Sequence, residues 1–303
     1  MPTAEREELP QFLSPMLLSQ GAPPSGDGWA VEVKWDGIRA QLRFDGRRVC
    51  LRSRPGRDCT DQFPELVEIA DVLGSRSVIL DGELVCLDEE GRPDFGALRA
   101  RLAGPARRVN GAARPVTLMT FDVLHLDGLA VRRLSYARRR ELLAGLQLNG
   151  PACRTPRYFV GDPYRVVAAV AEQGLEGVVA KRLESVYAEG RRSRAWIKHK
   201  LRRRERLVVA GWRERDGALP EFLLARRDEA GRLRPAGSAS LGLDADRRAT
   251  LLEVLAQHEL PRGAARRAAG ARWAAPVIEI FVDSHGSPAG PVRDAIMREI
   301  LVP

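Results

Sequence analysis

Residues 29–39 constrain the fold most, because they predict a strand that ends at a chemically reactive side chain. Three large apolar residues stand at every second position, and Ala, Glu and Lys fill the places between them. This period of two predicts a β-strand. The pair Asp36-Gly37 then predicts a turn. Lys34 is therefore expected at the end of a strand, where a ligand can approach its amine.

The use of lysine singles out the same residue. Of 49 basic residues only four are lysine, at positions 34, 181, 198 and 200, and all the others are arginine. Guanidinium stays charged at any working pH, so arginine cannot replace an amine that has to lose its proton. Chance is the alternative for any one of these lysines, but each lies in a recognisable sequence element. Lys34 is therefore a candidate nucleophile, and the other three are candidate phosphate contacts.

A lysine nucleophile needs surroundings that favour the neutral amine. A free lysine has a pKa of about 10.4, so only a small fraction of it is neutral near pH 7. Nearby cations destabilise the ammonium form. Arg39, Lys198 and Lys200 are expected to supply that effect while they hold a triphosphate. Attack of such an amine on phosphorus is covalent catalysis of the usual lysine kind.

Length and composition predict a two-domain, cytoplasmic protein. The 303 residues, 44% of them hydrophobic and 29% charged, suit one domain of about 200 residues and one of about 100. No apolar run approaches the roughly 18 residues of a membrane span, and the polar N-terminus shows no signal-peptide pattern. The four cysteines lack C-x-x-C spacing, so no structural zinc site is expected. The net charge of +9 favours a polyanionic partner.

Periodicity predicts the elements of the first part of the chain. Residues 1–28 are expected to be an irregular lead-in. Asp45 and Gly46 predict a hairpin with a type I′ turn, and Arg138-Arg139-Arg140 is expected to form a solvated helix face. The predicted strands are 29–34, 40–44, 49–53, 78–87 (interrupted at 81–83), 116–126, 175–182 and 193–201. The predicted helices are 63–73, 94–103, 136–146 and 163–173, with a mobile basic loop at 104–114.

The composition of the sequence changes at the charged segment 202–206, and a domain boundary is expected near residue 204. Short strands with one interposed helix suit a small barrel, and the OB-fold is the candidate given a nucleic-acid partner. The predicted elements are strands at 206–213, 221–227, 232–240 and 276–283, a helix at 244–257, an Ala/Arg/Gly-rich stretch at 262–271 and a final helix at 292–301. The expected fold class is α+β, with domains at 1–204 and 205–303.

Five sequence elements follow one another in order. They are Lys34-Trp35-Asp36-Gly37-Ile38-Arg39, the basic loop 53–58 continuing to 66, Asp81-Gly82-Glu83 with Phe121-Asp122, the segment 176–181, and Trp196-Ile197-Lys198-His199-Lys200. The series resembles the ATP-dependent DNA ligases, in particular the small bacterial repair type, over about residues 13–283. A lone Lys-x-Asp-Gly is a weak signal, but five elements in order are a strong one. The resemblance implies a nucleotidyltransferase (adenylation) domain followed by an OB-fold domain.

The resemblance also implies a role for each candidate residue. Lys34 would carry AMP from ATP. The nucleotide contacts would be Glu32 toward the adenine, Phe121 stacked on the base, Glu83 at the ribose hydroxyls, Arg39 and Arg54 at the nucleotide or the 5′-phosphate, and Lys181, Lys198 and Lys200 at phosphates. Glu176 would help place Mg²⁺ or Mn²⁺, hard cations that take oxygen ligands. A core position is the alternative for Phe121, and a plain turn position is the alternative for Glu176.

One element of the family is missing. Such ligases usually end their barrel domain with an Arg-x-Asp-Lys element that orients pyrophosphate, and no lysine follows Lys200. Arg293 is the substitute that we expect. The chain also begins only about 30 residues before Lys34, which is expected to leave no room for a separate N-terminal domain that encircles DNA.

The implied reaction joins a nick in double-stranded DNA in three steps. Lys34 takes AMP from ATP, the AMP moves to the 5′-phosphate of the nick, and the 3′-hydroxyl then displaces it. The protein is expected to be a monomer that binds DNA phosphates in a salt-sensitive way, with a repair protein that brings it to DNA ends. The alternatives are an RNA ligase, a capping-type guanylyltransferase, or a non-catalytic basic nucleic-acid-binding protein on a ligase scaffold.

Overall fold

The computed structural model describes residues 4–103, 114–214, 218–261, 270–285 and 290–301. The chain divides into two compact units, Met1–Lys200 and Leu201–Pro303. Within these described ranges, the first unit has two mainly antiparallel sheets and four α-helices, and the second has one antiparallel sheet and one α-helix. The predicted α+β class is therefore confirmed. Among the described residues, no helix has both the length and the apolar character needed to cross a membrane.

The first unit is built from short strands and four α-helices within its described part. Its strands are β1 (Glu5–Arg6), β2 (Leu17–Gln20), β3 (Gly26–Val33), β4 (Ile38–Phe44), β5 (Val49–Ser53), β6 (Val78–Cys86), β7 (Val116–Leu126), β8 (Leu129–Ala130), β9 (Cys153–Arg154), β10 (Phe159–Gly161), β11 (Gly177–Arg182) and β12 (Arg192–Lys200). Its α-helices are α1 (Ile69–Leu73), α2 (Phe95–Ala103), α3 (Tyr136–Gly145) and α4 (Pro163–Glu172).

These strands form two sheets. One has the order β1-β8-β7-β6-β4-β5, with β9 beside β7, and the other has the order β10-β3-β11-β12-β2. β3 belongs to one sheet, whereas β4, the next strand along the chain, belongs to the other. Residues 34–37 therefore connect the two sheets, and this connection carries Lys34.

Two apolar clusters hold the first unit together. In the larger cluster Leu42 and Leu80 from neighbouring strands pack with Leu98 of α2 and Leu143 of α3, and all four are fully buried. Burial of each such side chain stabilises the fold by about 1.5–3 kcal/mol. The smaller cluster surrounds Trp196 and includes Met16, Tyr136 and Tyr187. The two clusters therefore fix the strands that carry the candidate site.

The predicted hairpin forms, but its turn is not type I′. β4 and β5 begin to pair at Phe44 and Val49, so the loop comprises the four residues 45–48. Gly46 has a φ of 87° and no neighbour in the loop shares a positive φ, whereas type I′ requires two in succession. The Asp45 carboxylate instead accepts hydrogen bonds from the backbone amides of Arg47 and Arg48. Such side-chain capping stabilises the longer loop.

The solvated helix face predicted at residues 138–140 is wrong for two of the three arginines. Arg139 and Arg140 are 0% and 5% exposed. The Arg139 guanidinium donates to both carboxylate oxygens of Asp122, at 2.7 and 2.9 Å. Burial alone would lower the pKa of Arg139, but the buried Asp122 carboxylate raises it above its ordinary value. The arginine run therefore supplies a buried ion pair that fastens α3 to β7.

Several other element predictions are corrected in detail. The lead-in 1–28 contains β1 and β2, and β2 pairs in parallel with β12. The helix predicted at 63–73 begins as a 3₁₀ helix over Pro64–Glu68 and becomes α-helical only at Ile69–Leu73. β6 runs without interruption through 81–83. Most of the loop predicted at 104–114 lies outside the described residues.

The second unit forms one sheet with the order β15-β14-β13-β17-β18 and β16 beside β13. Its elements are β13 (Arg203–Arg213), β14 (Glu221–Arg227), β15 (Leu233–Ala239), α5 (Ala245–Gln257), β16 (Arg272–Trp273), β17 (Glu279–His285) and β18 (Arg293–Leu301). Ala236 of β15 accepts a hydrogen bond of 2.7 Å from Val292, which precedes β18. The two ends of the sheet therefore approach each other. The arrangement is OB-like, without a closed barrel among the described strands.

The final helix predicted at 292–301 is wrong, because this segment is β18. It pairs antiparallel with β17, and Ala295 and Met297 at alternate positions are buried. The apolar spacing of this segment also fits a helix. Pairing with the edge of β17 therefore determines that it forms a strand. Most of the Ala/Arg/Gly-rich stretch at 262–271 lies outside the described residues.

Candidate active site

A small cavity in the first unit brings most of the predicted site residues together. It lies where β2, β3, β4, β6, β7, β11 and β12 meet. Its lining comprises Leu18, Glu32, Val33, Lys34, Trp35, Arg39, Glu83, Phe121, Val179, Lys181 and Trp196. Predicted residues from distant parts of the chain therefore share one concave surface, as a ligand site requires.

Strand register explains how the lysines are positioned. The Lys34 amide donates to the Gly177 carbonyl at 2.9 Å, and Gly177 lies opposite Lys200 in the pairing of β11 with β12. Gly177 has a φ of 150°, and a Cβ there would lie 2.1 Å from the His199 carbonyl oxygen. Only glycine therefore permits this close approach of strands, which places Lys34 and Lys200 beside the same carboxylate.

That carboxylate is Glu176, just before β11. Its Oε2 lies 2.5 Å from the Lys34 Nζ and its Oε1 lies 3.4 Å from the Lys200 Nζ. The Glu176 side chain is 4% exposed, against 19% for Lys34 and 21% for Lys200. The sequence predicted Glu176 as a metal ligand of the site, and the structure places its carboxylate in direct contact with the Lys34 amine.

Lys198 completes the positive cluster. It is two residues from Lys200 on β12 and therefore shares its face of the strand. Burial lowers the pKa of Lys198, and the charges of Lys200 and Lys34 lower it further. The Lys198 ammonium is therefore destabilised by its neighbours. An anionic ligand with several oxygens would relieve that repulsion.

The connection after Lys34 is constrained by close packing at Gly37. A Cβ at Gly37 would lie 2.1 Å from the Leu84 carbonyl oxygen of β6. Contacts under 3 Å are sterically forbidden, so a glycine is needed at this position to pass the chain from β3 into β4. The glycine of the first sequence element therefore has a structural reason that is independent of chemistry.

Glu32 and Lys181 lie together in the interior, apart from the Lys34–Glu176–Lys200 group. The Lys181 Nζ is 2.7 Å from Glu32 Oε2, and the two side chains are 3% and 7% exposed. Burial lowers the pKa of Lys181, while the Glu32 carboxylate opposes that shift. The hydroxyl of Tyr136 donates to the other Glu32 oxygen. Lys181 therefore neutralises the buried Glu32 carboxylate.

Aromatic rings form the wall next to this ion pair. Trp196 makes edge-to-face contacts with Phe121, Tyr136 and Tyr187, with ring centroids 5.6–6.1 Å apart. The Lys181 Nζ lies 4.1 Å from the centroid of the Phe121 ring. Phe121 is partly exposed and lines the cavity, unlike a plain core residue. Its ring is therefore available to stack on a planar ligand.

Arg39 is held firmly by Asp81. Two guanidinium nitrogens donate to the Asp81 carboxylate at 2.7 and 3.0 Å, and Asp81 is fully buried. Burial alone would lower the pKa of Arg39, but Asp81 raises it above the ordinary value. The guanidinium carbon lies 5.5 Å from the Phe121 ring centroid. Arg39 therefore lines the cavity as a fixed, permanently charged group.

Glu83 lies opposite Arg39 in the pairing of β4 with β6. Burial raises the pKa of Glu83 to about 8, although the charges of Lys34 and Arg39 act in the other direction and Glu176 reinforces the rise. In the ligand-free protein near pH 7 this carboxyl is therefore mostly neutral. A neutral carboxyl can donate as well as accept, which suits the hydroxyl groups of a ribose.

Glu83→Gln is expected to flatten the dependence of stability on pH. The folded-state pKa lies above the ordinary value of 4.5, so ionisation destabilises the folded state as pH rises from the unfolded toward the folded pKa. The free energy of unfolding falls by at most about 1.4 kcal/mol per pH unit in this range. Denaturant unfolding at about pH 5 and about pH 8 measures it. Parallel pH curves for the two proteins would contradict the assigned shift.

Two further predicted residues, Arg54 and Arg293, are not among those that line this cavity. Arg54 is exposed on the loop after β5 and is not among the residues that line the cavity. Arg293 begins β18 of the second unit, opposite His285. Their predicted contacts with phosphates therefore stay predictions.

The residues around Glu176 could hold a metal ion only together with other ligands. Within the described part of the chain, no group of three or more His, Cys, Asp or Glu residues is placed to hold a metal by itself. Mg²⁺ is often held by one or two carboxylates together with substrate phosphates. Glu176 and Glu83 are close enough for their charges to interact. These residues fit a metal that arrives with the nucleotide, and they do not form a cage of their own.

Sequence reasoning missed two tyrosines of the site. Tyr136 contacts Glu32, and the Tyr187 hydroxyl donates to Asp81 at 2.6 Å. Both tyrosines lie more than 100 residues from the carboxylate that they contact. Local periodicity carries no signal for such pairs, because they depend on how α3 and the segment before β12 pack.

Comparison with known proteins places this geometry in a family. The family model described as the ATP dependent DNA ligase domain matches residues 22–200. The multifunctional non-homologous end joining protein LigD of Mycolicibacterium smegmatis is 37% identical over 215 residues, which is 70% of this chain and 27% of that protein. A probable DNA ligase of a Nocardioides species is 37% identical over 74% of this chain and 45% of its own length. This chain thus spans about a quarter to a half of these curated relatives.

Solved structures extend the likeness to nearly the whole chain. A mycobacterial DNA ligase D complexed with ATP and MES has a TM-score of 0.60 and 33% identity, with 96% of this chain and 95% of that chain covered. The ligase domain of M. tuberculosis LigD has a TM-score of 0.59 and 33% identity, with 95% of each chain covered. With a matching family model and two matching ligase domains, this chain belongs to the family of ATP-dependent DNA ligase domains.

Proposed function

We propose that this protein seals nicks in double-stranded DNA through a covalent lysine–AMP intermediate on Lys34. The observation that supports this most is the contact of the Lys34 amine with Glu176, beside Lys198 and Lys200 and at the mouth of an aromatic cavity. Nucleotidyl transfer is assigned to residues 1–204, and residues 205–303 are assigned as an OB-fold domain that assists on DNA.

In the first step the Lys34 nitrogen forms a bond to the α-phosphorus of ATP, and the bond from that phosphorus to pyrophosphate breaks. The ammonium must first lose a proton, and the Glu176 carboxylate is the group in contact with it. Lys198 and Lys200 neutralise negative charge as it builds on the phosphate oxygens. Mg²⁺ or Mn²⁺, held by Glu176 and the phosphates, would supply further charge neutralisation when bound.

The base would occupy the aromatic end of the cavity. Phe121 would stack on the adenine, and Glu32 would accept from its amino group. Glu83 would bind the ribose hydroxyls. Lys181 is assigned to hold Glu32 in place, because it is already paired with that carboxylate. This assignment replaces the phosphate contact expected from the sequence.

The second and third steps need DNA. AMP passes from the Lys34 nitrogen to the 5′-phosphate of the nick, and the 3′-hydroxyl then attacks that phosphorus and displaces AMP. Arg39 and Arg54 are assigned to the nucleotide or the 5′-phosphate, and Arg293 is assigned to pyrophosphate. The net charge of +9 supports binding to the DNA backbone. Sealing is therefore expected to weaken steeply as salt rises.

The names of the relatives suggest a biological setting. LigD proteins are described as acting in non-homologous end joining. We infer that this chain, acting as a monomer in the cytoplasm, repairs breaks with a protein partner that holds DNA ends. This setting is a proposal, because the chain covers only part of those relatives.

Nick sealing is the direct assay of the proposed function. With ATP and a divalent cation, the protein is expected to seal a nicked DNA duplex, and GTP is expected to be a much weaker substrate. The same nick flanked by ribonucleotides is expected to react more slowly. Preference for the RNA nick would support an RNA ligase, and labelling by GTP in preference to ATP would support a capping-type enzyme. Binding of nicked duplex without any covalent nucleotide would favour the non-catalytic alternative.

A further inference from the structure

We propose that Tyr136 is a positioning residue that sets the preference for adenine over guanine in the first step. The inference rests on the proposed function, since it concerns the nucleotide that Lys34 attacks. Tyr136 lies at the start of α3 and is fully buried. It does not line the cavity, so it acts through a neighbour, and that neighbour is Glu32.

Both oxygens of the Glu32 carboxylate have a partner. Oε1 accepts a hydrogen bond from the Tyr136 hydroxyl, and Oε2 lies 2.7 Å from the Lys181 ammonium. The Arg140 guanidinium lies 3.7 Å from Oε1. Lys181 and Arg140 therefore both attract this carboxylate. The hydrogen bond from the neutral Tyr136 hydroxyl to Oε1 limits how far the carboxylate can rotate toward them.

The same hydroxyl is also tied to the aromatic wall. The Tyr136 oxygen lies 3.2 Å from the carbonyl oxygen of Phe121 and accepts a hydrogen bond of 3.3 Å from Lys181. The Tyr136 ring packs edge-to-face against Trp196. One buried group thus fixes the carboxylate at the edge of the cavity relative to the ring on which a base would stack.

A fixed carboxylate distinguishes the two purines by hydrogen bonding. Adenine presents an amino donor at its sixth position, whereas guanine presents a carbonyl acceptor there. Glu32 in its present orientation has lone pairs left to accept from the adenine amino group, and it would repel the guanine carbonyl. If the Tyr136 hydroxyl is removed, the carboxylate is free to swing toward Arg140 and Lys181, and the discrimination weakens.

The test is Tyr136→Phe, which removes one oxygen atom and keeps the ring. We expect the KM for ATP in covalent adenylylation to rise by roughly tenfold to 100-fold, as for loss of a hydrogen bond to a charged group. The kcat of that step should change little, because the Lys34–Glu176 contact is untouched. The ratio of kcat/KM for ATP to that for GTP should fall.

Tyr187→Phe is the matched control. Tyr187 is also buried, packs on Trp196 and donates to a buried carboxylate, Asp81, at 2.6 Å. Its loss therefore has a similar structural cost but leaves Glu32 unchanged. Whatever it does to overall activity, the preference for ATP over GTP should stay at the wild-type value.

A double-mutant cycle of Glu32 and Tyr136 gives a second measurement of the preference for ATP, and it does not depend on one variant alone. Glu32→Gln alone should lower the preference for ATP, and adding Tyr136→Phe to it should lower it little further. If Tyr136→Phe does not fold, the Glu32→Gln result stands in for it, and an unchanged preference there overturns the inference. Equal preferences in Tyr136→Phe and wild type also overturn it. A wild-type protein that no nucleotide labels would instead refute the proposed function.

Discussion

Lys34→Arg is expected to abolish covalent labelling of the protein by ATP that carries its label on the α-phosphate. The arginine side chain can keep a salt bridge with Glu176, so the fold should persist. A guanidinium does not lose its proton at working pH and cannot attack phosphorus. Loss of a catalytic nucleophile typically lowers the rate on the order of 10⁶-fold. Labelling should therefore fall to background.

The control for this variant is a nick that already carries AMP on its 5′-phosphate. Sealing of that substrate needs only the third step and bypasses the first two, so Lys34→Arg should retain a measurable part of it. Thermal melting of wild type and variant shows whether the fold is retained. Labelled AMP that still accumulates on Lys34→Arg would exclude Lys34 as the nucleophile.

Arg139→Met is expected to destabilise the protein by about 3–5 kcal/mol, because it leaves the Asp122 carboxylate buried without its cation. Both side chains of this pair are 0% exposed. Arg139 also donates to the Leu134 and Ser185 carbonyls, which lose a partner in the variant. Denaturant unfolding followed by circular dichroism measures the change as a lower midpoint.

The matched variant is Arg139→Met combined with Asp122→Leu. Replacing both partners of a buried pair with apolar groups removes the uncompensated charge, so much of the lost stability should return. Arg138→Met is the surface control, because the Arg138 side chain is 61% exposed. An effect of Arg139→Met as small as that of Arg138→Met would contradict the buried ion pair.

The sequence was sufficient where a residue's role depends on local pattern. The alternation before Lys34 predicted a strand, and β3 ends at Val33, next to that lysine. Alternate spacing on β12 also placed Lys198 and Lys200 on one face. Local rules of this kind hold because side chains of a strand point alternately to its two sides.

The sequence was insufficient where distant segments compete for the same partner. Glu176 lies 142 residues from Lys34, and Lys181 pairs with Glu32, so neither contact is visible in spacing. The arginine run at 138–140 looked solvated because charge predicts exposure, whereas Asp122 makes burial favourable for Arg139. The segment that forms β18 fits a helix locally, and the edge of β17 overrides that preference.

The decisive measurement is peptide mass mapping of the wild-type protein after incubation with ATP and a divalent cation. We expect one added AMP, on the peptide that contains Lys34, and its loss when nicked DNA is supplied after free ATP has been removed. AMP found on Lys181, Lys198 or Lys200, or nick sealing by a protein that never carries AMP, would contradict this expectation.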